Sequence, residues 1–65
     1  MKRLSSRQLQ VLGFVADGWS NWQIAQQLFV SVNTVKSHLD QISERLGTTG
    51  RAHAVAVAMR TGQLT

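Results

Sequence analysis

The sequence predicts an all-α fold, a single domain of four helices that occupies residues 1–65. Three observations predict it. Apolar residues recur at helical spacing in four segments, residues typical of helix caps and stops border those segments, and no segment alternates strictly between apolar and polar residues as a half-buried strand does. A chain of 65 residues buries only about 60% of its unfolded surface, which leaves material for one core.

The first two helices each begin with a capping box. Ser5 is followed three residues later by Gln8, and the helix that follows ends before Gly18. Ser20 has the same relation to Gln23 and begins a second helix of eight or nine residues. The predicted apolar positions of these helices are Leu4, Val11, Leu12, Val15, Ala16, Ile24, Ala25 and Leu28.

The last two helices are bordered by serine and glycine. Ser31 can cap the third helix, and Gly47 ends it in the C′ position. The fourth helix is predicted from about Arg51 to Thr61, with Gly62 as its stop. The predicted apolar positions are Val32, Val35, Leu39, Ile42 and Leu46 in the third helix, and Ala54, Val55 and Ala58 in the fourth.

The composition favours a polyanionic partner and excludes several classes of function. Seven Lys and Arg against three Asp and Glu give a formal charge of +4, which favours nucleic acid. Cysteine is absent and the two histidines are fifteen residues apart, so we expect neither a metal site nor a cofactor. No apolar run is long enough for a signal peptide or a membrane span, so we expect the protein in the cytoplasm or nucleoid.

The turn between the second and third helices contains only residues 29–31, which predicts the steep crossing of a helix-turn-helix unit. The third helix then presents a polar face opposite its apolar stripe. Such a face suits DNA, because amides, hydroxyls and a lysine in the first turns of a helix can pair with base edges. The competing interpretation is an ordinary solvated face. The face comprises Asn33, Ser37, Asp40, Gln41 and Glu44, flanked by Lys36 on one side and by Thr34 and His38 on the other.

The segments SNWQIA, LFVSVNTVKSH and ISERLG together closely resemble the LuxR-type helix-turn-helix domain of bacterial transcription regulators. The resemblance covers nearly the whole chain. It also includes Leu4, Arg7, Val11 and Leu12 near the start, and Arg51, Ala54, Val55, Ala58 and Gly62 near the end. It implies a sequence-specific regulator that binds double-stranded DNA, with the third helix in the major groove and the fourth helix in a two-fold dimer.

The resemblance also implies which residues contact DNA. Asn33, Lys36 and Ser37 are the implied base contacts, and Asp40, a departure from the family pattern on the same helix face, is a fourth expected one. Asp40 has two open interpretations, a specificity element or a residue too far along the helix to touch DNA. His38 is expected to lie half-tucked against the second helix rather than on DNA. The expected contacts to the DNA backbone are Ser20, Asn21, Trp22, Thr34, Gln41 and Arg51.

The fourth helix is apolar nearly all round between residues 52 and 59, more than one side of a small core requires. Ala56, Val57, Arg60 and Thr61 therefore form the predicted dimer interface. A two-fold dimer would place its third helices about 34 Å apart, on an inverted repeat. The competing interpretation is that these alanines only express helix propensity.

The two tryptophans receive separate roles. Trp19 at N′ and Ile24 at N4 form the pair of a hydrophobic staple, so Trp19 is predicted to be structural. Trp22 at N2 points away from the apolar stripe and is predicted to approach DNA or a partner. The alternative function is a protein-interaction module that binds an RNA polymerase subunit or another regulator through exposed Leu9, Phe14, Trp22 and Val57.

An enzyme is not expected. Ser37 and Asp40 project about 100° or more away from His38 on a helix, so no line of nucleophile, base and orienting group forms. Met1 stands three residues before the first position of the family pattern, so we expect no sensor domain upstream. Concentration, dimerisation or a partner protein would then set the activity.

Overall fold

The computed structural model describes residues 3–65, and it contains four α-helices. They are α1 (Ser6–Ala16), α2 (Asn21–Leu28), α3 (Val32–Leu46) and α4 (Arg51–Arg60). No strand occurs within residues 3–65, so the predicted all-α fold is confirmed. The longest of these helices, α3, has 15 residues, and none of the four has the length and apolar character needed to cross a membrane.

Both predicted capping boxes are present. The Ser5 hydroxyl accepts from the Gln8 amide nitrogen at 3.1 Å, and Gln8 Oε1 accepts from the Ser5 amide nitrogen at 2.9 Å. In the same way, the Ser20 hydroxyl accepts from the Gln23 amide nitrogen at 3.1 Å, and Gln23 Oε1 accepts from the Ser20 amide nitrogen at 2.8 Å. The Ser31 hydroxyl caps α3 by accepting from its third amide nitrogen at 3.0 Å. The first three helices therefore begin where the sequence predicts.

The C-terminal ends of α3 and α4 follow the glycine pattern closely. Gly47 adopts left-handed angles (φ 68°, ψ 37°), and the following amide of Thr48 donates back to the Ser43 carbonyl at 2.9 Å. Helix α4 ends at Arg60, one residue earlier than predicted. Thr61 is its C-cap instead, because its hydroxyl and amide both donate to a carbonyl one turn back.

The end of α2 differs from the other two. Phe29 adopts left-handed angles (φ 57°, ψ 43°), and it is the one non-glycine residue with a positive φ in the described part of the chain. Its amide donates to the Gln26 carbonyl and the next amide, of Val30, donates to the Ala25 carbonyl at 3.0 Å. The three-residue turn is confirmed, but a phenylalanine occupies the conformation that usually selects glycine.

The core lies where all four helices meet, and α3 packs against each of the other three. Small alanines on α4 face this core, which lets α4 approach the larger side chains of α1 and α3. The buried apolar residues are Leu4, Val11, Leu12, Ile24, Ala25, Val35, Ile42, Ala54 and Ala58. All of them occupy positions that the helical spacing predicts to be apolar and inward-facing.

Several residues predicted on the surface or in the core lie elsewhere. Ala16 is exposed, because α1 ends there and the chain turns away through Asp17. Leu9 and Phe14, predicted to be exposed, are half-buried against the core. Phe14 is covered by Trp19, whose ring centroid lies 4.4 Å from that of Phe14.

Val57 is half-buried as well, so the predicted exposed surface of Leu9, Phe14, Trp22 and Val57 is wrong for three of its four members. For Phe14 the physical reason lies in the tertiary fold. The turn after α1 brings Trp19 back over that helix, where its amide donates to the Phe14 carbonyl at 3.0 Å. Only Trp22 of the four is exposed.

The segment after α4 takes part in the fold, which the sequence did not predict. Gln63 Oε1 accepts from the Leu4 amide nitrogen at 2.8 Å, so the chain segments before α1 and after α4 are joined. Leu64 is half-buried against the core, and its methyl group would lie 3.9 Å from a Cβ added at Gly13 of α1. Residues 63–64 therefore cover the side of α1.

Candidate nucleic-acid interface

Helix α3 separates its side chains into a buried and an exposed side. Val35 and Ile42 are fully buried, whereas four predicted base-contact residues are all exposed. We call these four residues, Asn33, Lys36, Ser37 and Asp40, the outer face of α3. Thr34 and His38 lie at its edge and are half-buried, which agrees with the tucked position predicted for His38.

The outer face of α3 has no bonding partners in the described part of the chain. The Ser31 hydroxyl lies 3.0 Å from the Thr34 hydroxyl, so the polar contacts of the first turn stay at the cap. Between residues 3 and 65, no hydrogen bond or ion pair involves a side chain of the outer face. Its amide, hydroxyl, ammonium and carboxylate groups are therefore available to a ligand.

A contact between the starts of α2 and α4 borders the outer face of α3. The Arg51 guanidinium donates a hydrogen bond to Asn21 Oδ1. Both residues are the first of their helices, and both are predicted contacts to the DNA backbone. They line a groove of about 280 Å³ that also contains Lys36, Asp40 and Ser43. The structure thus brings together two predicted backbone contacts and two predicted base contacts.

The helix ends around this groove have a favourable polarity for phosphate. Neither α2 nor α4 has an acidic residue in its first turn, so the positive end of each helix dipole is not opposed. The N-cap of α4 is Gly50, which provides no side-chain hydrogen bond. The preceding amide, of Thr49, donates to His53 Nδ1 at 3.3 Å. Backbone amides at the start of α4 consequently remain open to an anion.

Charge is sparse on the helix-turn-helix unit itself. No charged residue stands between Asp17 and Lys36, so α2 and the turn that follows it are uncharged. The charges at the groove are those of Lys36, Asp40 and Arg51, all exposed. The electrostatic attraction to a polyanion at this surface therefore depends on two cations and is opposed by one carboxylate.

Gln41 lies apart from the groove. It lines a separate cleft with Gln8, Glu44 and Arg45, on the side of α3 that faces the start of α1. The guanidinium of Arg45 donates to the Arg3 carbonyl at 2.9 Å in the same region. Gln41 and Arg51, both predicted contacts to the DNA backbone, are thus placed on opposite flanks of the outer face of α3.

The start of α2 presents an aromatic side chain to solvent. Trp22 is 63% exposed, which confirms that it is not a core residue. It borders a shallow depression together with Trp19 and three glutamines of α2. Ser20 precedes it and is exposed, although its oxygen already accepts from the Gln23 amide. Sequence reasoning missed Phe29, which is 95% exposed at the other end of α2.

The predicted dimer interface occupies the outer side of α4. Ala56 and Arg60 are exposed, Val57 is half-buried, and Thr61 is exposed with its hydroxyl turned to the Val57 carbonyl. Met59, which the sequence interpretation did not include, is 53% exposed on the same helix.

The three-residue turn between α2 and α3, the packing of these two helices and the exposed outer face of α3 define a helix-turn-helix DNA-binding domain. Residues 2–58 match the family model described as "Bacterial regulatory proteins, luxR family". The chain belongs to this family of DNA-binding transcription regulators. The resemblance stated from the sequence is thereby confirmed.

Two relatives match most of this chain and a minor part of their own length. The probable transcriptional regulatory protein SgaR of Hyphomicrobium methylovorum is 42% identical over 57 residues, which are 88% of this chain and 27% of SgaR. The HTH-type transcriptional regulator MalT of Yersinia pestis (strain Pestoides F) is 41% identical over 61 residues, 94% of this chain and 7% of MalT. The likeness is therefore to one domain of each regulator.

Solved structures share the fold. The transcription factor GerE superposes with a TM-score of 0.93 at 28% identity, over all of this chain and 97% of GerE. The response regulator ChrA of a heme-sensing two-component system superposes with a TM-score of 0.91 at 36% identity, over 98% of this chain and 32% of ChrA. VqmA of Vibrio cholera, in a complex with ligand and DNA, superposes with a TM-score of 0.86 at 21% identity. This likeness concerns the fold alone.

Proposed function

We propose that this chain binds double-stranded DNA sequence-specifically, with α3 in the major groove, and that it regulates transcription as a dimer formed through α4. One observation carries the proposal. The outer face of α3 places four polar side chains in solvent after the three-residue turn, and none of them has a partner within residues 3–65. A major groove about 12 Å wide admits such a helix.

The chemistry of the outer face suits base edges. The Lys36 ammonium can donate to O6 and N7 of guanine, and the Asn33 amide can pair with N6 and N7 of adenine. The Ser37 hydroxyl can donate or accept and therefore suits either kind of edge. These side chains belong to the first half of α3, the part of a recognition helix that contacts bases.

The DNA backbone would lie against the residues around the groove. Arg51 supplies a cation for phosphate, and its hydrogen bond to Asn21 holds both side chains at the helix starts. Trp22 exposes an indole N–H and a flat ring beside them, which suit phosphate and sugar respectively. Ser20 and Thr34 extend this contact, and Gln41 would meet the opposite strand from the other flank.

Selection of bound sequences from a random duplex library tests the proposal. We expect an inverted repeat with half-sites about one helical turn apart, and an affinity that falls steeply between low and moderate salt. A library without enrichment above background would contradict sequence-specific binding. A half-site without a symmetric partner would contradict the dimer and leave groove recognition intact.

The dimer has its own test. We expect the wild-type protein to sediment on a symmetric site as two chains per duplex, and Ala56→Glu to prevent this by placing a charge in the interface. Ala16→Glu is the matched control, because it makes the same substitution at an exposed position of α1 to which no contact is assigned. A strictly 1:1 complex of the wild-type protein would rule out the dimer.

A second candidate function is binding to a partner protein of transcription, such as an RNA polymerase subunit, through α2. The observation that favours it is the exposure of two large aromatic side chains, Trp22 at 63% and Phe29 at 95%. Salt separates the two functions, since a largely apolar interface should tolerate moderate salt and DNA binding should not. Both surfaces can operate in one protein.

A further inference from the structure

Asp40 is an exposed carboxylate on the helix face that we assign to DNA. Within residues 3–65 it forms no hydrogen bond and no ion pair. The two cations that line the same groove do not neutralise it: Arg51 donates to Asn21 instead, and Lys36 forms no ion pair with any residue between 3 and 65. The negative charge of Asp40 is therefore presented to whatever occupies the groove.

A carboxylate in this position opposes binding to DNA in general. It repels phosphate, and it removes part of the attraction that Lys36 and Arg51 supply. The only favourable partners on a base edge in the major groove are exocyclic amino groups, N4 of cytosine and N6 of adenine. Adenine also presents the N7 acceptor beside N6, which repels a carboxylate, so cytosine is the better partner.

The geometry of α3 relates this cytosine to the guanine assigned to Lys36. Residues four apart on an α-helix differ by about 40° in direction and about 6 Å in height. Base pairs rise by about 3.4 Å, so two such side chains meet base pairs one or two steps apart. Lys36 can therefore donate to a guanine, and Asp40 can accept from a cytosine at a neighbouring base pair.

We propose that Asp40 is a specificity-determining residue that selects a cytosine, one or two base pairs from the guanine bound by Lys36. The inference rests on the proposed function of the outer face of α3. It assigns a benefit to a charge that otherwise only weakens binding. Asp40 would reject guanine and thymine at its position because both present acceptors there.

The test compares selected sequences and affinities for the wild-type protein, Asp40→Asn and Glu44→Gln. Glu44 is the matched control, because it is an exposed carboxylate one turn further along α3 and its change removes the same charge. For the wild-type protein we expect cytosine to be preferred about 5- to 150-fold at one position. Asp40→Asn should replace this preference by one for adenine, because asparagine pairs with N6 and N7 of adenine.

The control should behave differently. Glu44→Gln should raise the affinity for all sequences alike and leave the cytosine preference unchanged. If Asp40→Asn also changed only the overall affinity, with the same selected sequence, Asp40 would not contact a base, while DNA recognition by α3 would stand. If the wild-type protein enriched no sequence, both this inference and the proposed function would fail.

Discussion

The two sides of α3 differ in burial and in bonding partners, although they belong to one helix. On one side, Val35 and Ile42 are fully buried among α1, α2 and α4. On the other, Lys36 and Ser37 are exposed and bond to nothing within residues 3–65. Adjacent residues thus belong either to the core or to the proposed DNA surface, so stability and DNA recognition should change independently along one helix.

The largest expected effect is on the buried side. Ile42→Ala should lower the free energy of unfolding by about 2–5 kcal/mol, since it removes a fully buried side chain and leaves a cavity. A core of this size rarely supplies more than about 3–5 kcal/mol, so much of the protein should be unfolded at room temperature. The free energy of unfolding is measured by urea titration, with circular dichroism as the signal. Gln41→Ala, at the exposed neighbour, should change stability by less than about 0.5 kcal/mol, and an equal loss there would contradict the division.

The two tryptophans extend the comparison to the start of α2. Trp19→Ala should cost about 1–3 kcal/mol, less than the about 3–5 kcal/mol of a fully buried aromatic residue, because Trp19 is half-buried on Phe14. Trp22→Ala should leave the melting temperature nearly unchanged and weaken binding to DNA or to a partner. Equal losses of stability in thermal melts would show that both residues are structural.

The smallest expected effect distinguishes two helix ends with the same backbone conformation, Phe29 and Gly47. Phe29→Gly should raise the free energy of unfolding, and with it the urea midpoint, by about 0–1.5 kcal/mol. It relieves left-handed strain of about 1–2 kcal/mol, and the greater backbone freedom of glycine in the unfolded chain offsets about 0.5–1 kcal/mol of that gain. Gly47→Ala should lower the midpoint, because alanine is strained at φ 68° even though open space surrounds it. A loss for Phe29→Gly as large as for Gly47→Ala would mean that the phenyl ring contributes to packing.

Features fixed within one or two turns of helix could be predicted from the sequence. The capping boxes at Ser5 and Ser20 join residues three apart, and the stripe of α3 repeats within its own helix. The outer face of α3 follows from the same periodicity, because the side opposite a buried stripe must be exposed. The candidate site was therefore accessible to prediction as a face of one helix.

Features that join distant parts of the chain could not be predicted from the sequence. The sequence predicts Phe14 on the surface, because nothing near it in sequence shows that Trp19 folds back over α1. The hydrogen bond from Arg51 to Asn21 connects residues 30 positions apart, and the one from Leu4 to Gln63 connects residues 59 positions apart. Helical spacing contains no information about such pairs, which depend on how the helices are arranged.

The central claim is that the outer face of α3 recognises DNA sequence, and the most direct measurement is the affinity of Lys36→Ala. We expect it to bind the best selected site about 1–3 kcal/mol more weakly than the wild-type protein and to lose discrimination against one changed base pair, with the unfolding midpoint unchanged. Arg7→Ala, which removes an exposed cation of α1, should keep that discrimination. A Lys36→Ala protein with unchanged affinity and unchanged selectivity would contradict the claim.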